Sequence, residues 1–185
     1  MTNEQIKISA AAKNYAEALI EIAQSGKLSY DALAADLEVV NGAFSSSEDL
    51  TLAIENPAID IKVKNDIIDG VFGGKVSVEI INFLKILVDK KRISEFSQIY
   101  AEFKNKYYFV QNIQPVTIIS AIALNNDQKK QITDKLAAKL NKKIITAWET
   151  DADIIAGITV KINDNVLDMS LKNRLEKLSK SLMLK

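Results

Sequence analysis

The residues that could carry chemistry in this sequence are few, and their spacing is loose. Histidine and cysteine are both absent from the 185 residues, which removes the commonest general acid/base, the commonest metal ligand and every thiolate nucleophile. Asp151, Asp153 and Asp164 fall close together in sequence. They lack the Asp-x-Asp-x-Asp-Gly order and closing Glu of a calcium loop, so they read as solvated loop charges. Asp168 has the chemistry of a general base, yet it stands two residues before Ser170, a good helix N-cap, where free amides and the helix dipole favour a carboxylate. Its placement is structural. Gly73-Gly74-Lys75 lacks the rest of a phosphate loop and the strand before it, and reads as a helix break. Lys139, Lys142 and Lys143 form a basic cluster at a helix end, which could face an acidic partner or a membrane surface but reads more simply as a solvated terminus. No catalytic residue, metal site or cofactor is expected.

The most specific text runs from Ala156 to Leu178. Ile158, Val160 and Ile162 alternate with Thr159, Lys161 and Asn163, the period of a half-buried strand, and Gly157 opens it where a positive φ or a bulge costs least. Asn163-Asp164-Asn165 supplies a turn, Val166 and Leu167 resume an apolar run, and Ser170 caps a helix carrying Leu171, Leu175, Leu178 and Leu182.

At 185 residues, 48% hydrophobic and 26% charged, the chain has the composition of an ordinary globular protein of one domain or two small ones. No apolar run approaches the ~18 residues of a membrane span, and the first residues resemble neither a signal peptide nor a mitochondrial presequence. The chain is therefore expected to stay in the compartment where it is made. Lysine plus arginine equals aspartate plus glutamate, 24 each. The halves differ: residues 1–112 hold 12 basic and 16 acidic side chains (12 − 16 = −4), and residues 113–185 hold 12 and 8 (12 − 8 = +4). A nucleic-acid binder needs a stronger excess and exposed aromatics, whereas Trp148 is the sole aromatic of the basic half, so nucleic acid is not an expected partner.

Helical spacing predicts six helices in the first half. Ala12, Tyr15, Ala16, Leu19, Ile22 and Ala23 mark the first, stopped by Ser25-Gly26, and Tyr30, Leu33, Leu37, Val40 and Phe44 mark a second packed antiparallel to it. Ser46 with Asp49 resembles a capping box for a short third helix, closed by Asn56-Pro57. A fourth begins near Asp60 and ends at Gly73-Gly74, a fifth spans Val76 to Lys91, and a sixth begins near Ser94. The fifth has apolar residues over most of its surface, which fits either a central helix or one that also lines a groove. After Asn112 the character changes. Ile113–Ile122 is β-rich, Asn125 and Gln128 form a capping box for a helix, and Ile144–Trp148 is a second strand. The expectation is an all-α six-helix bundle over residues 1–108, followed by a small α+β domain over 113–185 with about four strands and two helices. Trp148 suits either core or interface.

Several of these stretches resemble the F-type ATP synthase delta subunit family, which includes the oligomycin-sensitivity-conferring protein. The likeness rests on Tyr-Ala-Glu-Ala-Leu around Tyr15, Asn56-Pro57, Lys64, the Phe83-Leu84-x-x-Leu87 run ending at Arg92, and the Gly157, Asp168, Ser170 and Arg174 signature. It implies a non-catalytic peripheral-stalk subunit with no small-molecule substrate. The first domain is expected to bind the N-terminus of an alpha subunit, and the second the C-termini of b subunits. The implied alpha groove lies between helices one and five and takes in Tyr15, Ala18, Leu19, Ile22, Asn82, Phe83, Ile86 and Lys90. Contact with a membrane is expected only through the complex, at the cytoplasmic face of a bacterial plasma membrane, with the plastid thylakoid as the alternative. This sequence has Ala156-Gly157 where many relatives have Gly-Gly, and Asp168-Met169-Ser170 where many have Asp-Gly-Ser. Both differences fall at turns. An unrelated helical adaptor is the alternative reading, and a carboxylate enzyme the third.

Overall fold

A computed structural model describes residues 9–26, 28–163, 165–173 and 175, and the chain divides into two compact units, Met1–Tyr107 and Tyr108–Lys185.

The first unit is helical. Its helices are α1 (Ala10–Gln24), α2 (Tyr30–Ser46), α3 (Glu48–Glu55), α4 (Ile61–Phe72), α5 (Val78–Asp89) and α6 (Phe96–Val110), which runs past the unit boundary. Residues Ile93–Glu95 form a separate 3-10 turn before α6, so this half holds a further helical piece beyond the six expected. Four of the helix starts have a side-chain cap. Ser9, Ser29, Ser47 and Asp60 each accept a hydrogen bond from a first-turn amide of the helix that follows. The third cap is Ser47 rather than Ser46: Ser46 still belongs to α2, and the Ser47 hydroxyl takes the Leu50 amide at 3.2 Å. The fifth helix is shorter than its apolar run: it starts after Ser77, whose hydroxyl makes no capping bond, and ends at Lys90. Leu19, Leu33, Leu37, Ile54, Ile68, Leu84, Leu87 and Ile99 are wholly buried at the centre. Tilted rings of Phe44 and Phe96, 5.3 Å apart, close one end.

The second unit is built on β1 (Ile113–Ser120), α7 (Asn126–Leu140), β2 (Lys143–Thr150), β3 (Ile158–Ile162) and β4 (Asn165–Asp168). The sheet is mixed, in the order β2-β1-β3-β4, with β1 and β2 parallel and the other pairs antiparallel. A parallel pair needs a crossover, and α7 supplies it. The capping box at Asn125 and Gln128 is formed, and Asn141 ends α7 in the left-handed conformation. Ile118 pairs with Trp148 on one side and Val160 on the other, and Ile132 and Leu136 of α7 pack on that face. A short 3-10 turn, Ala152–Ile154, joins β2 to β3.

Candidate functional site

The signature of the second unit closes on itself. Gly157 has φ +95°, and a Cβ there would lie 2.7 Å from the Met169 carbonyl oxygen and 3.2 Å from Ser170 Cα. Only glycine lets these two chain segments approach so closely. The approach is held from both sides: the Leu171 amide donates to Ala156 O at 2.8 Å, and the Met169 amide to Ile158 O at 3.1 Å. The Asp168 carboxylate accepts from the Ser170 amide at 2.9 Å and the Thr159 hydroxyl at 3.2 Å. Ser170, 2% exposed, accepts the Asn173 amide at 3.2 Å. Asp168 and Ser170 thus hold backbone in place. Arg174 lies outside the described residues, as do Asp164, Leu178 and Leu182.

Just before this knot, Ile155 adopts φ 65°, ψ −58°, and the Ala156 amide donates to Ile154 O at 2.7 Å. That is a γ-turn of the rarer, strained hand, and a β-branched residue seldom occupies it. Composition gives no sign of it. Ile155, Met169, Leu171 and Leu175 are all exposed apolar side chains of the same stretch.

In the first unit the residues singled out on helices one and five fall into two layers. Leu19 is wholly buried and Phe83 nearly so, so both belong to the core. The Tyr15 ring meets the Phe83 ring edge-on, centroids 6.1 Å apart, which sets α1 beside α5. Above them Ala18, Asn82, Ile86 and Lys90 are exposed, while Tyr15 and Ile22 are half-buried. Ile86 is 48% exposed, and Val78, 67% exposed, lies one turn before Asn82. Val78 was not among the expected residues, although its spacing of four and eight from Asn82 and Ile86 marks the same stripe.

The remaining candidates have local roles. Asp151 accepts the Asp153 amide at 2.9 Å and opens the short turn after β2. Gly73 ends α4, and Gly74 has φ +73°. The Trp148 indole donates to the Thr146 hydroxyl at 2.9 Å, with the Lys129 ammonium 5.6 Å above its ring. Lys142 and Lys143 line a shallow surface depression with Gln111 and Asn141. The Ser9 hydroxyl, and then Arg92, hold the Glu95 carboxyl below the usual carboxylate range. Among the described residues no cluster of three metal-ligating side chains occurs, and no helix is long and apolar enough to cross a membrane.

The described residues thus form a helical unit with exposed Val78 and Ile86 on α5, followed by a small mixed-sheet unit whose signature residues brace backbone. Residues 11–182 match the family described as the ATP synthase delta (OSCP) subunit. The ATP synthase subunit delta of Chlorobaculum tepidum is 32% identical over 173 residues, covering 94% of this chain and 95% of that protein. That of Clostridium botulinum strain Loch Maree is 33% identical over 171 residues, covering 92% and 95%. A chain in a cryo-EM structure of the Toxoplasma gondii mitochondrial ATP synthase hexamer shares the fold, with TM-score 0.73, 20% identity, and coverage of 95% of this chain and 98% of that one. The chain belongs to the ATP synthase delta (OSCP) subunit family. It is a structural, non-catalytic subunit of ATP synthase with a stator role in the peripheral stalk.

Proposed function

We propose that the protein links the F1 head to the b subunits through its two units, each holding a different partner. The six longer helices act as one bundle, residues 1–108, that receives the N-terminal segment of an alpha subunit along the α1–α5 stripe. Residues 113–185 bind the C-terminal ends of the b subunits. The observation that carries this reading is the Tyr15–Phe83 contact, which places α1 beside α5 under exposed Ala18 and Ile86. Small and apolar side chains in such a seam suit an amphipathic helix anchored at i, i+3, i+4 and i+7. Exposed Ile155, Met169 and Leu171 beside a rigid backbone knot favour the second docking point. With both partners engaged, the protein sits at the membrane only through the complex, on the cytoplasmic face of a bacterial plasma membrane.

The reading is tested by capturing the tagged full chain from the native membrane fraction and identifying the co-purified proteins by mass spectrometry. Alpha and b subunits should both be recovered. Surface substitutions should separate them: Ile86→Asp is expected to lose alpha and keep b, and Met169→Asp to lose b and keep alpha. Loss of both partners from either variant, or of neither, would count against the assignment.

A further inference from the structure

The sheet of the second unit ends differently on its two sides. β4 closes one side with four residues, whereas β2 closes the other with eight, Lys143–Thr150, paired to β1 over its whole length. An edge of that length is usually blunted by a proline, a bulge or a charge set in its middle. β2 has none of these: its register skips no residue, and Ile144 to Trp148 include neither proline nor charge. Its charges are Lys143 and Glu149, opposite in sign and near opposite ends. The hydrogen bonds show which backbone groups face outward. The Lys143 amide donates to Asn112 O at 3.2 Å and the Asp151 amide to Ser120 O at 2.9 Å, both towards β1. Successive residues of a strand bond to opposite sides, so the N–H and C=O groups of Ile144, Thr146 and Trp148 point away from the sheet. Among the described residues no other segment bonds to them.

We propose that this edge pairs with the same edge of a second copy of the chain, antiparallel, about a two-fold axis that passes through Thr146 perpendicular to the sheet. The register follows from the residues. Such an axis keeps every side chain on the face it already occupies and makes the contact self-complementary. Outward-facing Ile144, Thr146 and Trp148 must then meet outward-facing partners, and setting Thr146 against its own copy achieves this. The same register sets Ile144 against Trp148, Ile145 against Ala147, and Lys143 against Glu149, each twice. Opposite charges, and an aromatic beside a β-branched residue, are favourable cross-strand pairs. A shift of two residues either way sets Glu149 against Asn141 or Ile145 and parts it from Lys143. The junction supplies about six main-chain hydrogen bonds. It is small beside the roughly 1,200 Å² of a stable specific interface, so the dimer is weak and reversible, forming at about 0.1–1 mM chain. Neither the α1–α5 stripe nor Ile155, Met169 and Leu171 takes part, so this contact is independent of alpha and b binding.

The test is sedimentation equilibrium of the full chain from about 10 μM to about 1 mM. The unaltered chain should pass from monomer towards dimer over this range. Lys143→Glu and Glu149→Lys, both at exposed positions, set like charges opposite each other. Each should raise the dimer dissociation constant about tenfold or more. An equimolar mixture of the two variants should dimerise again, because every opposed pair then holds one acid and one base. That rescue also shows that both variants are folded. The proposal is overturned if the unaltered chain stays monomeric throughout, which would leave the edge to a strand of another protein. It is equally overturned if either variant alone dimerises as tightly as the unaltered chain, or if the mixture stays monomeric.

Discussion

A Cβ placed on Gly157 would stand 2.7 Å from the carbonyl oxygen of Met169, so the second unit is drawn together at a point where no side chain fits. The backbone there also has φ +95°. Gly157→Ala must therefore both strain its own dihedral and push β3 away from the segment after β4. The expected cost is about 2–3 kcal/mol. Trp148 is the only tryptophan and lies in β2, so its fluorescence during chemical denaturation reports this unit. An unshifted tryptophan transition in the alanine variant would show that the close approach contributes little.

Ser170→Ala removes the acceptor of the Asn173 amide at the following helix start, with an expected loss of about 0.5–2 kcal/mol. Because Ser170 is buried, b binding should weaken only as far as folding weakens. Unchanged melting together with lost b capture would instead make the hydroxyl a contact.

Much of this architecture is legible in local text, because a capping box, a Gly-Gly stop and a period of two each act over a few residues. Asn125 with Gln128, Gly73-Gly74 and the Ile158–Ile162 alternation were all readable for that reason. What escaped depends on neighbours distant in sequence or on choices between equal residues. Ser46 and Ser47 are chemically identical, and only the hydrogen bond from the Ser47 amide to Ala43 O shows that α2 runs through Ser46 before the next helix begins. Parallel pairing of β1 with β2 cannot be read from either strand alone. Leu19 and Ala18 are adjacent in the helical pattern, but one is core and the other surface, a distinction set by how α1 is rotated against its neighbours. Lys64 looks like any solvated lysine in α4, and only the packing of α3 and α5 around it reveals its burial.

Ala18→Leu is expected to block the α1–α5 stripe without disturbing the core, since Ala18 is exposed. Calorimetric titration of the full-length variant with a synthetic alpha N-terminal peptide should give no measurable heat, while the helical circular dichroism and melting stay as in the unaltered protein. The net charge of −4 over residues 1–112 attracts a basic peptide, but screening within about 8 Å at physiological salt leaves the apolar contacts dominant. Undiminished binding by the leucine variant, or binding that vanishes merely on adding salt, would remove the groove.

Glu95 couples the start of α1 to the start of α6 and sets an acid limit. The Ser9 hydroxyl, followed by Arg92, holds its carboxyl below the usual carboxylate range. A depressed folded-state pKa adds stability above the unfolded-state value, and that stability is lost as pH falls through the folded value. The protein should therefore lose part of its helical-unit stability on acidification below about pH 5. Glu95→Gln should be less stable at neutral pH and fall less steeply with acid. Melting curves by circular dichroism at several pH values check this, and parallel curves for the two proteins would exclude the coupling.

The placement of β1 has a mechanical consequence. It enters the second unit at Ile113 and is bonded on one edge to β2 and on the other to β3. Tension applied at Ile113 along the strand loads in shear the ladder to β2 along its whole length and the ladder to β3 from Thr117 onward, because those bonds lie across the pull. An edge strand with one neighbour, such as β4, has a single ladder to resist the same pull. The chain thus enters this unit through its most tear-resistant strand, which suits a protein that must transmit torque without yielding.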